Sequence, residues 1–164
     1  MSNPAYLWLT DENGSPIVGG CCVLGRVGSI EIKSLSHHMS IPTDSHTGKL
    51  TGTRIHTPVL IQKEFDRVTP LLYRAISRGY TLKSAEIKMY QTVDAGREVE
   101  YFNIYMENVK ITGITPSLHP GSGTGTHLEN IELRYESIQW KYVDGNIVFK
   151  DSWNERCIAK KAGL

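Results

Sequence analysis

The chain has 164 residues, 40% hydrophobic and 21% charged, and its 18 basic and 17 acidic side chains leave a net charge of +1. This composition predicts one globular domain over residues 1–164 and gives no indication of a nucleic-acid partner. Its apolar runs are too short for a transmembrane helix, so we expect no membrane insertion. The N-terminus lacks a basic region followed by a long apolar stretch, which predicts a cytoplasmic protein without a cleaved signal peptide.

Most of the chain alternates between apolar and polar residues, and this period of two predicts β-strands. In chain order, the predicted strands are Ala5–Leu9, Val27–Lys33, Val59–Phe65, Ala85–Tyr90, Val99–Met106, Val109–Thr112, Ile131–Tyr135, Trp140–Val143 and Ile147–Phe149. Two turn sequences, Asp94–Gly96 and Asp144–Asn146, predict β-hairpins between the strands that flank them.

One amphipathic helix is predicted over residues 70–78, between the third and fourth predicted strands. Thr69 is a candidate N-cap, Pro70 suits the first helical position, and Gly79 can end the helix in a left-handed conformation. Amphipathic helices usually pack on their own core, so we expect this one to anchor onto the sheet. Many short strands with a single helix predict an all-β fold, either a barrel or a sandwich.

The segment 37–58 fits neither a helical nor an alternating pattern. It contains two prolines, two glycines and four of the six histidines in the chain. Loops longer than about 12–15 residues are uncommon inside compact domains unless they are functional or disordered. A metal site would need regularly spaced ligands, and the irregular spacing here favours exposed histidines on a polar loop. These histidines are His37, His38, His46 and His56.

The cysteines also argue against a metal or another cofactor. Cys21 and Cys22 are adjacent, which is too constrained for an ordinary disulfide, and Cys157 stands alone near the C-terminus. An odd number of cysteines without ligand spacing predicts free thiols. We therefore expect no cofactor.

The sequence contains no recognisable catalytic motif. Residues 120–126 look like a phosphate loop, but a strand pattern follows them where a phosphate loop requires a helix. There is no nucleophile elbow, and the paired acids fit the solvated faces of strands. We therefore predict that the protein is not an enzyme. The alternative is an enzyme with an unrecognised site in residues 121–125.

A series of short motifs runs along nearly the whole chain. They are Ala5–Thr10, Gly28–Glu31, Ile41–Asp44, Thr47–Arg54, Leu82–Glu86, Glu98–Phe102, Glu107–Val109, Leu133–Glu136, Trp140, Asp144–Asn146 and Asp151–Trp153. Together they resemble the haemolysin-coregulated protein (Hcp) family, the tube protein of bacterial type VI secretion. The resemblance implies a tight β-barrel of two packed antiparallel sheets, with one flanking α-helix and a long extended loop.

The same resemblance implies an assembly and a set of partners. Six copies would form a ring, and rings would stack into a hollow tube that is itself secreted, outside the cell or into a target cell. The other implied partners are a tip spike protein, contractile sheath and baseplate components, and small effector proteins in the lumen. Some relatives carry a C-terminal toxin domain, for which the tail 154–164 is too short.

Within this pattern, we expect the extended loop to reach a neighbouring subunit in the same ring or in the next ring. A ring needs a heterologous interface, and burying an aliphatic side chain there recovers about 1.5–3 kcal/mol, which would offset much of the loop's ordering cost. The predicted interface residues are Ile41, Pro42, Thr43, Asp44, Thr47, Gly48, Lys49, Leu50, Thr51, Gly52, Arg54 and Ile55. The alternative is a stand-alone β-sandwich that presents the loop 37–58 to a ligand.

Overall fold

A computed structural model describes residues 3–118 and 127–153, and these residues confirm the all-β prediction. The elements are β1 (Ala5–Thr10), β2 (Pro16–Ile17), β3 (Ile30–Ile32), β4 (Ser34–Ser36), β5 (Met39–Ser40), β6 (Ile55–His56), β7 (Val59–Glu64), α1 (Thr69–Arg78), β8 (Thr81–Thr92), β9 (Glu98–Ser117), β10 (Leu128–Arg134), β11 (Ser137–Tyr142) and β12 (Ile147–Ser152). The residues 120–126, the tail 154–164 and Cys157 lie outside the described ranges.

Ten strands form one antiparallel sheet that curls around a single core. The order of hydrogen-bonded neighbours is β2-β1-β8-β9-β10-β7-β4, with β3 paired to β1 and β11 placed between β9 and β12. Only Lys33 separates β3, which pairs with β1, from β4, which pairs with β7. The two ends of the sheet therefore meet through this interrupted segment. The strands thus form two sheets, this ten-stranded sheet and the two-stranded pair β5-β6, and among the described residues no continuous hydrogen-bonded ladder closes the barrel.

The longest strand, β9, joins two strands that the sequence pattern separated. The sequence pattern predicts Val99–Met106 and Val109–Thr112 as separate strands, with the polar residues Glu107 and Asn108 between them. In the structure the backbone continues through Asn108 with φ of 52°, a left-handed conformation that asparagine tolerates. At this kink β9 exchanges β11 for β10 as its neighbour on one side.

Helix α1 confirms the predicted element but not its predicted cap. Val68 occupies the N-cap position without a side-chain cap, so the assignment of Thr69 as the cap is wrong. Thr69 Oγ1 instead donates to Glu129 Oε1 of β10 at 2.9 Å. Gly79 ends the helix with φ of 65°, as predicted. In the described part of the chain, no helix is long and apolar enough to cross a membrane.

A buried ion pair connects the start of α1 with the sheet. Lys63 Nζ of β7 lies 2.6 Å from Glu129 Oε1 and 2.9 Å from Asp66 Oδ1, and both Lys63 and Glu129 are fully buried. Around this pair, the core consists of apolar side chains from the sheet and α1. Its largest fully buried members are Leu7, Ile30, Ile61, Leu72, Leu82, Ile87, Met106, Ile131, Leu133 and Ile138.

Candidate functional site

Residues 37–58, here named the arm, form an ordered hairpin outside the main sheet. At its base β5 pairs with β6, and Met39 lies opposite His56. Further out, Thr51 N donates to Pro42 O at 2.8 Å, and Thr43 bridges to Leu50. The sequence did not indicate this hairpin because neither of its faces packs against the core along its whole length, so apolar and polar residues do not alternate.

The tip of the arm is a turn shaped by Asp44. Its Oδ1 atom accepts the backbone N–H groups of His46 at 2.7 Å and Thr47 at 3.3 Å. Gly48 N donates to Asp44 O at 2.9 Å, and Gly48 has φ of 74°, a conformation that glycine adopts without a steric penalty. Asp44 and Gly48 therefore set the shape of the tip.

The arm carries aliphatic side chains that the isolated chain leaves in water. Ile41, Leu50 and Ile55 are 45%, 66% and 48% exposed. Of the twelve residues predicted for the interface, only Pro42, Asp44 and Arg54 are half-buried, and the others are exposed. Exposed aliphatic side chains on an ordered projection are typical of a contact surface.

The base of the arm is attached to β12 by an arginine–carboxylate pair. Arg54 Nε donates to Asp151 Oδ2 at 2.6 Å, and Arg54 Nη2 donates to Asp151 Oδ1 at 2.7 Å. The same Nη2 atom also donates to the carbonyl of Ser152 at 3.1 Å. Because two guanidinium nitrogens contact the two carboxylate oxygens, the pair fixes the orientation of the arginine side chain and also balances its positive charge.

A histidine and a tyrosine extend this attachment into the interior. His56 is 2% exposed, its Nε2 lies 2.9 Å from Asp151 Oδ2, and its Nδ1 is hydrogen-bonded to the hydroxyl of Tyr135. The same hydroxyl lies 2.9 Å from His37 Nε2. We refer to Arg54, His56, Asp151, Tyr135 and His37 together as the clamp.

Aromatic rings complete the clamp. The ring of His56 stacks on Trp153 with centroids 5.5 Å apart, and the ring of His37 stacks on Trp140 at 6.3 Å. The guanidinium carbon of Arg134 lies 4.2 Å from the Trp153 ring centroid. The expectation of exposed histidines is therefore wrong for the buried His56, and His37 is half-buried as well.

The surroundings of the clamp shift the pKa values of three of its members. Hydrogen bonds from Arg54 lower the pKa of Asp151 from 3.8 to about 2, with further help from His56 and the backbone of Ser152 against the opposing effect of burial. Burial, together with the nearby charge of Asp151, raises the pKa of Tyr135. Burial is also the main reason that the pKa of His37 is lowered. The clamp therefore combines a carboxylate, a neutral tyrosine and a histidine that resists protonation.

The cysteines and histidines of the described residues form no metal centre. Within residues 3–118 and 127–153, no group of three or more histidine, cysteine or acidic side chains is arranged to hold a metal ion. Cys21 and Cys22 are free thiols, as predicted. Sequence reasoning named the members of the clamp separately, Arg54, Tyr135 and Asp151 in the family motifs and His37 and His56 among the histidines, but did not bring them together.

The outermost strand of the sheet forms a second exposed apolar surface. In the described part of the chain β12 pairs only with β11, so one of its edges has no strand partner. Ile147, Val148 and Phe149 on this strand are 68%, 46% and 62% exposed. An unpaired edge with apolar side chains is a template for contact with another chain.

A third apolar surface lies on the loop 18–29, which Arg26 holds in place. Arg26 is 8% exposed, its Nη1 lies 2.9 Å from Glu98 Oε1, and its guanidinium carbon lies 3.9 Å from the ring centroid of Tyr90. The aliphatic side chains that this loop exposes are Val18, Val23, Leu24 and Val27. A buried arginine thus supports a loop whose apolar side chains face water.

The loop 18–29 and the base of the arm lie beside different parts of β9. Arg26 binds Glu98, the first residue of β9, whereas Asp151 pairs with Ile138, which in turn pairs with Met106. The path along β9 from Glu98 to Met106 spans about 26 Å at about 3.3 Å per residue. The two surfaces are therefore separated along the sheet.

These features define an all-β protein with an ordered arm, an open sheet edge and a supported apolar loop, as expected of a subunit that assembles. The family model described as "Type VI secretion system effector, Hcp" matches residues 6–142. The chain therefore belongs to the Hcp family of type VI secretion. This family is structural and secreted rather than enzymatic.

Individual relatives agree with this assignment. The major exported protein of Pseudomonas aeruginosa is 31% identical in an alignment of 166 positions that covers 93% of this chain and 96% of the relative. A mutant of the Hcp1 protein from E. coli EAEC 042 has a similar structure, with 53% identity, a TM-score of 0.86, and coverage of 93% of this chain and 99% of that chain. The secreted protein Hcp3 from Pseudomonas aeruginosa matches with 27% identity and a TM-score of 0.78, over 94% of this chain and 100% of that chain.

Proposed function

We propose that this protein is the tube subunit of a type VI secretion apparatus. Six copies form a ring, rings stack into a hollow tube, and the tube is exported with small effector proteins in its lumen. Family membership supports the role in secretion, and the major exported protein among its relatives supports export. Family membership alone supports the tip spike, sheath and baseplate as partners. The observation that carries the assembly role is the ordered arm with its exposed aliphatic side chains.

Contact within the ring is assigned to the open edge of the sheet. A closed ring of identical subunits needs two different surfaces on each copy. Among residues 3–118 and 127–153, one edge of β12 has no strand partner, and this strand exposes Ile147, Val148 and Phe149. A neighbouring copy that covers this edge would satisfy the backbone and bury the apolar side chains at once.

Contact between rings is assigned to the arm. Stacking of identical rings needs two separate contact surfaces on each subunit, and the arm base and the loop 18–29 are separated along β9. Leu50 on the arm and Leu24 on the loop are 66% and 93% exposed, so both side chains could become buried on assembly. Full burial of one such side chain is worth about 1.5–3 kcal/mol.

Leu50→Asp tests the role of the arm in stacking. The side chain is exposed, so the fold should be retained, while a carboxylate at the contact should disrupt stacking and leave separate rings. Tyr73→Asp is the control because Tyr73 is 39% exposed on α1 and belongs neither to the arm, nor to β12, nor to the loop 18–29. Sedimentation velocity and negative-stain microscopy report the particle length. Stacking of Leu50→Asp equal to that of the control would refute the arm's role.

Ile147→Asp tests the ring contact separately. Ile147 is 68% exposed, and a carboxylate at this edge should give subunits that do not close into rings. Light scattering measures the mass directly. A wild-type protein that stays monomeric at high concentration would contradict the tube proposal and favour a stand-alone binding module that presents the arm to a ligand.

A further inference from the structure

The loop 18–29 folds back on itself through its own backbone. Cys21 N donates to Ser29 O at 3.1 Å, which joins the two ends of the loop. The outer part of the loop is a turn in which Arg26 N donates to Val23 O at 2.9 Å. Backbone hydrogen bonds near the surface open readily unless side chains anchor the segment that contains them.

The side chain that anchors this loop is that of Arg26. Among residues 20–28, all of which the structure describes, Arg26 is the one buried residue. The neighbouring aliphatic side chains do not anchor the turn, since Val23, Leu24 and Val27 are 43%, 93% and 68% exposed. The outer part of the loop is therefore fastened to the sheet by a cation and not by apolar burial.

The guanidinium of Arg26 contacts three different strands. Its Nη1 lies 2.9 Å from Glu98 Oε1 of β9 and donates to the hydroxyl of Tyr6 of β1 at 3.3 Å. Its central carbon lies 3.9 Å from the ring centroid of Tyr90 of β8. A planar guanidinium can stack on a ring and donate within its own plane at the same time, whereas an ammonium cannot. These contacts therefore fix both the position and the orientation of the side chain.

The backbone of Arg26 transmits this position to the rest of the loop. Its carbonyl accepts a hydrogen bond from Ser29 Oγ at 2.6 Å and another from Ser29 N at 3.1 Å, and Ser29 is fully buried. Its N–H group closes the turn at Val23. One residue thus connects the exposed turn, the sheet and the start of β3.

We propose that Arg26 is a positioning residue for the contact between rings, which holds the loop 18–29 as a rigid apolar surface for the arm of a second copy. Arg26 is buried and acts through the exposed side chains of Leu24 and Val27. A contact surface that is ordered before binding loses less conformational entropy when it binds. The contact with the arm rests on the proposed function, whereas the anchoring of the loop does not.

Hydrogen–deuterium exchange of the full-length protein with Arg26→Met tests the anchor. Methionine occupies the same site with an unbranched side chain but cannot donate to Glu98 or Tyr6. The Leu50→Asp background keeps neighbouring rings apart, so exchange reports on the loop within one subunit. We expect the protection of the loop amides to fall severalfold relative to that of β9, while β9 itself changes little.

Arg97→Met is the matched control because Arg97 is an exposed arginine next to Glu98 in the chain. Equal loop protection in the Arg26→Met and Arg97→Met proteins would overturn the proposal. If Arg26→Met does not fold, Arg26→Lys decides, since lysine keeps the charge but loses the planar contact with Tyr90. Loop protection in Arg26→Lys equal to that of the protein without it would also overturn the proposal.

Sedimentation velocity of the same variants without Leu50→Asp measures stacking separately. We expect Arg26→Met to require a severalfold higher protein concentration for stacking than Arg97→Met. A loosened loop with stacking equal to that of the control would overturn the positioning role. If the protein without any substitution does not stack, the proposed function fails, and a loss of loop protection in Arg26→Met would still support the anchoring of the loop.

Discussion

Asp151→Asn should weaken the attachment of the arm without removing a large side chain. The variant replaces the carboxylate that binds Arg54 at two points and accepts the Nε2 proton of His56. Lowering the pKa of this group from 3.8 to about 2 corresponds to about 2 kcal/mol in favour of the charged form. The asparagine amide also replaces one carboxylate oxygen with an NH₂ group, which would face an N–H donor of Arg54 or His56. We therefore expect the free energy of unfolding to fall by about 2–4 kcal/mol.

Denaturant unfolding at a fixed protein concentration measures this loss, with Asp144→Asn in an exposed turn as the control. The control should stay within about 0.5 kcal/mol of the wild type. Because the pKa of Asp151 is lower in the folded state, its contribution is fully present above the unfolded value of 3.8 and is lost as pH falls through about 2. The loss should therefore be equal at pH 7 and pH 5. A difference below about 0.5 kcal/mol from the wild type, or a loss that has halved by pH 5, would refute the reasoning.

Two further substitutions examine the fold that supports the arm. Lys63→Met should reduce the free energy of unfolding by about 3–5 kcal/mol because it removes the cation that pairs with the buried Glu129. Adding Glu129→Met should restore much of this loss. Chemical denaturation measures both changes. An equal or larger loss in the double variant would contradict this account. Gly79→Ala should cost about 1 kcal/mol because φ of 65° at the end of α1 disfavours a β-carbon, and an unchanged Tm would show that the helix end adapts.

The sheet could be predicted from the sequence where one face of a strand is buried. Along β7 the burial alternates with the apolar pattern, so Val59 and Ile61 lie inside and Leu60 is exposed. The pattern failed at Asn108, where β9 changes its neighbour while the backbone continues as a strand. Local alternation reports the environment of a side chain and does not report which strand lies beside it.

The clamp could not be derived from the sequence because its partners are distant along the chain. His56 meets Tyr135 across 79 residues and Asp151 across 95 residues. A histidine in a polar segment is usually exposed, and only the fold brings these side chains to the base of the arm. The contact role that the sequence predicts for the aliphatic side chains of the arm stays a prediction, although Leu50 and Ile55 lie outside the core in the isolated chain.

Ordering the arm costs more free energy than burial of its aliphatic side chains in an interface returns, so contacts within the subunit must also hold it. Ordering a backbone residue costs about 1–2 kcal/mol, so ordering the 22 residues of segment 37–58 would cost about 22–44 kcal/mol from a fully disordered state. Burial of Ile41, Leu50 and Ile55 in an interface returns at most about 9 kcal/mol. The three side chains therefore offset a smaller part of the ordering cost than the sequence suggested. The hairpin and the clamp must supply the rest within the subunit, so that assembly begins from an arm already in position.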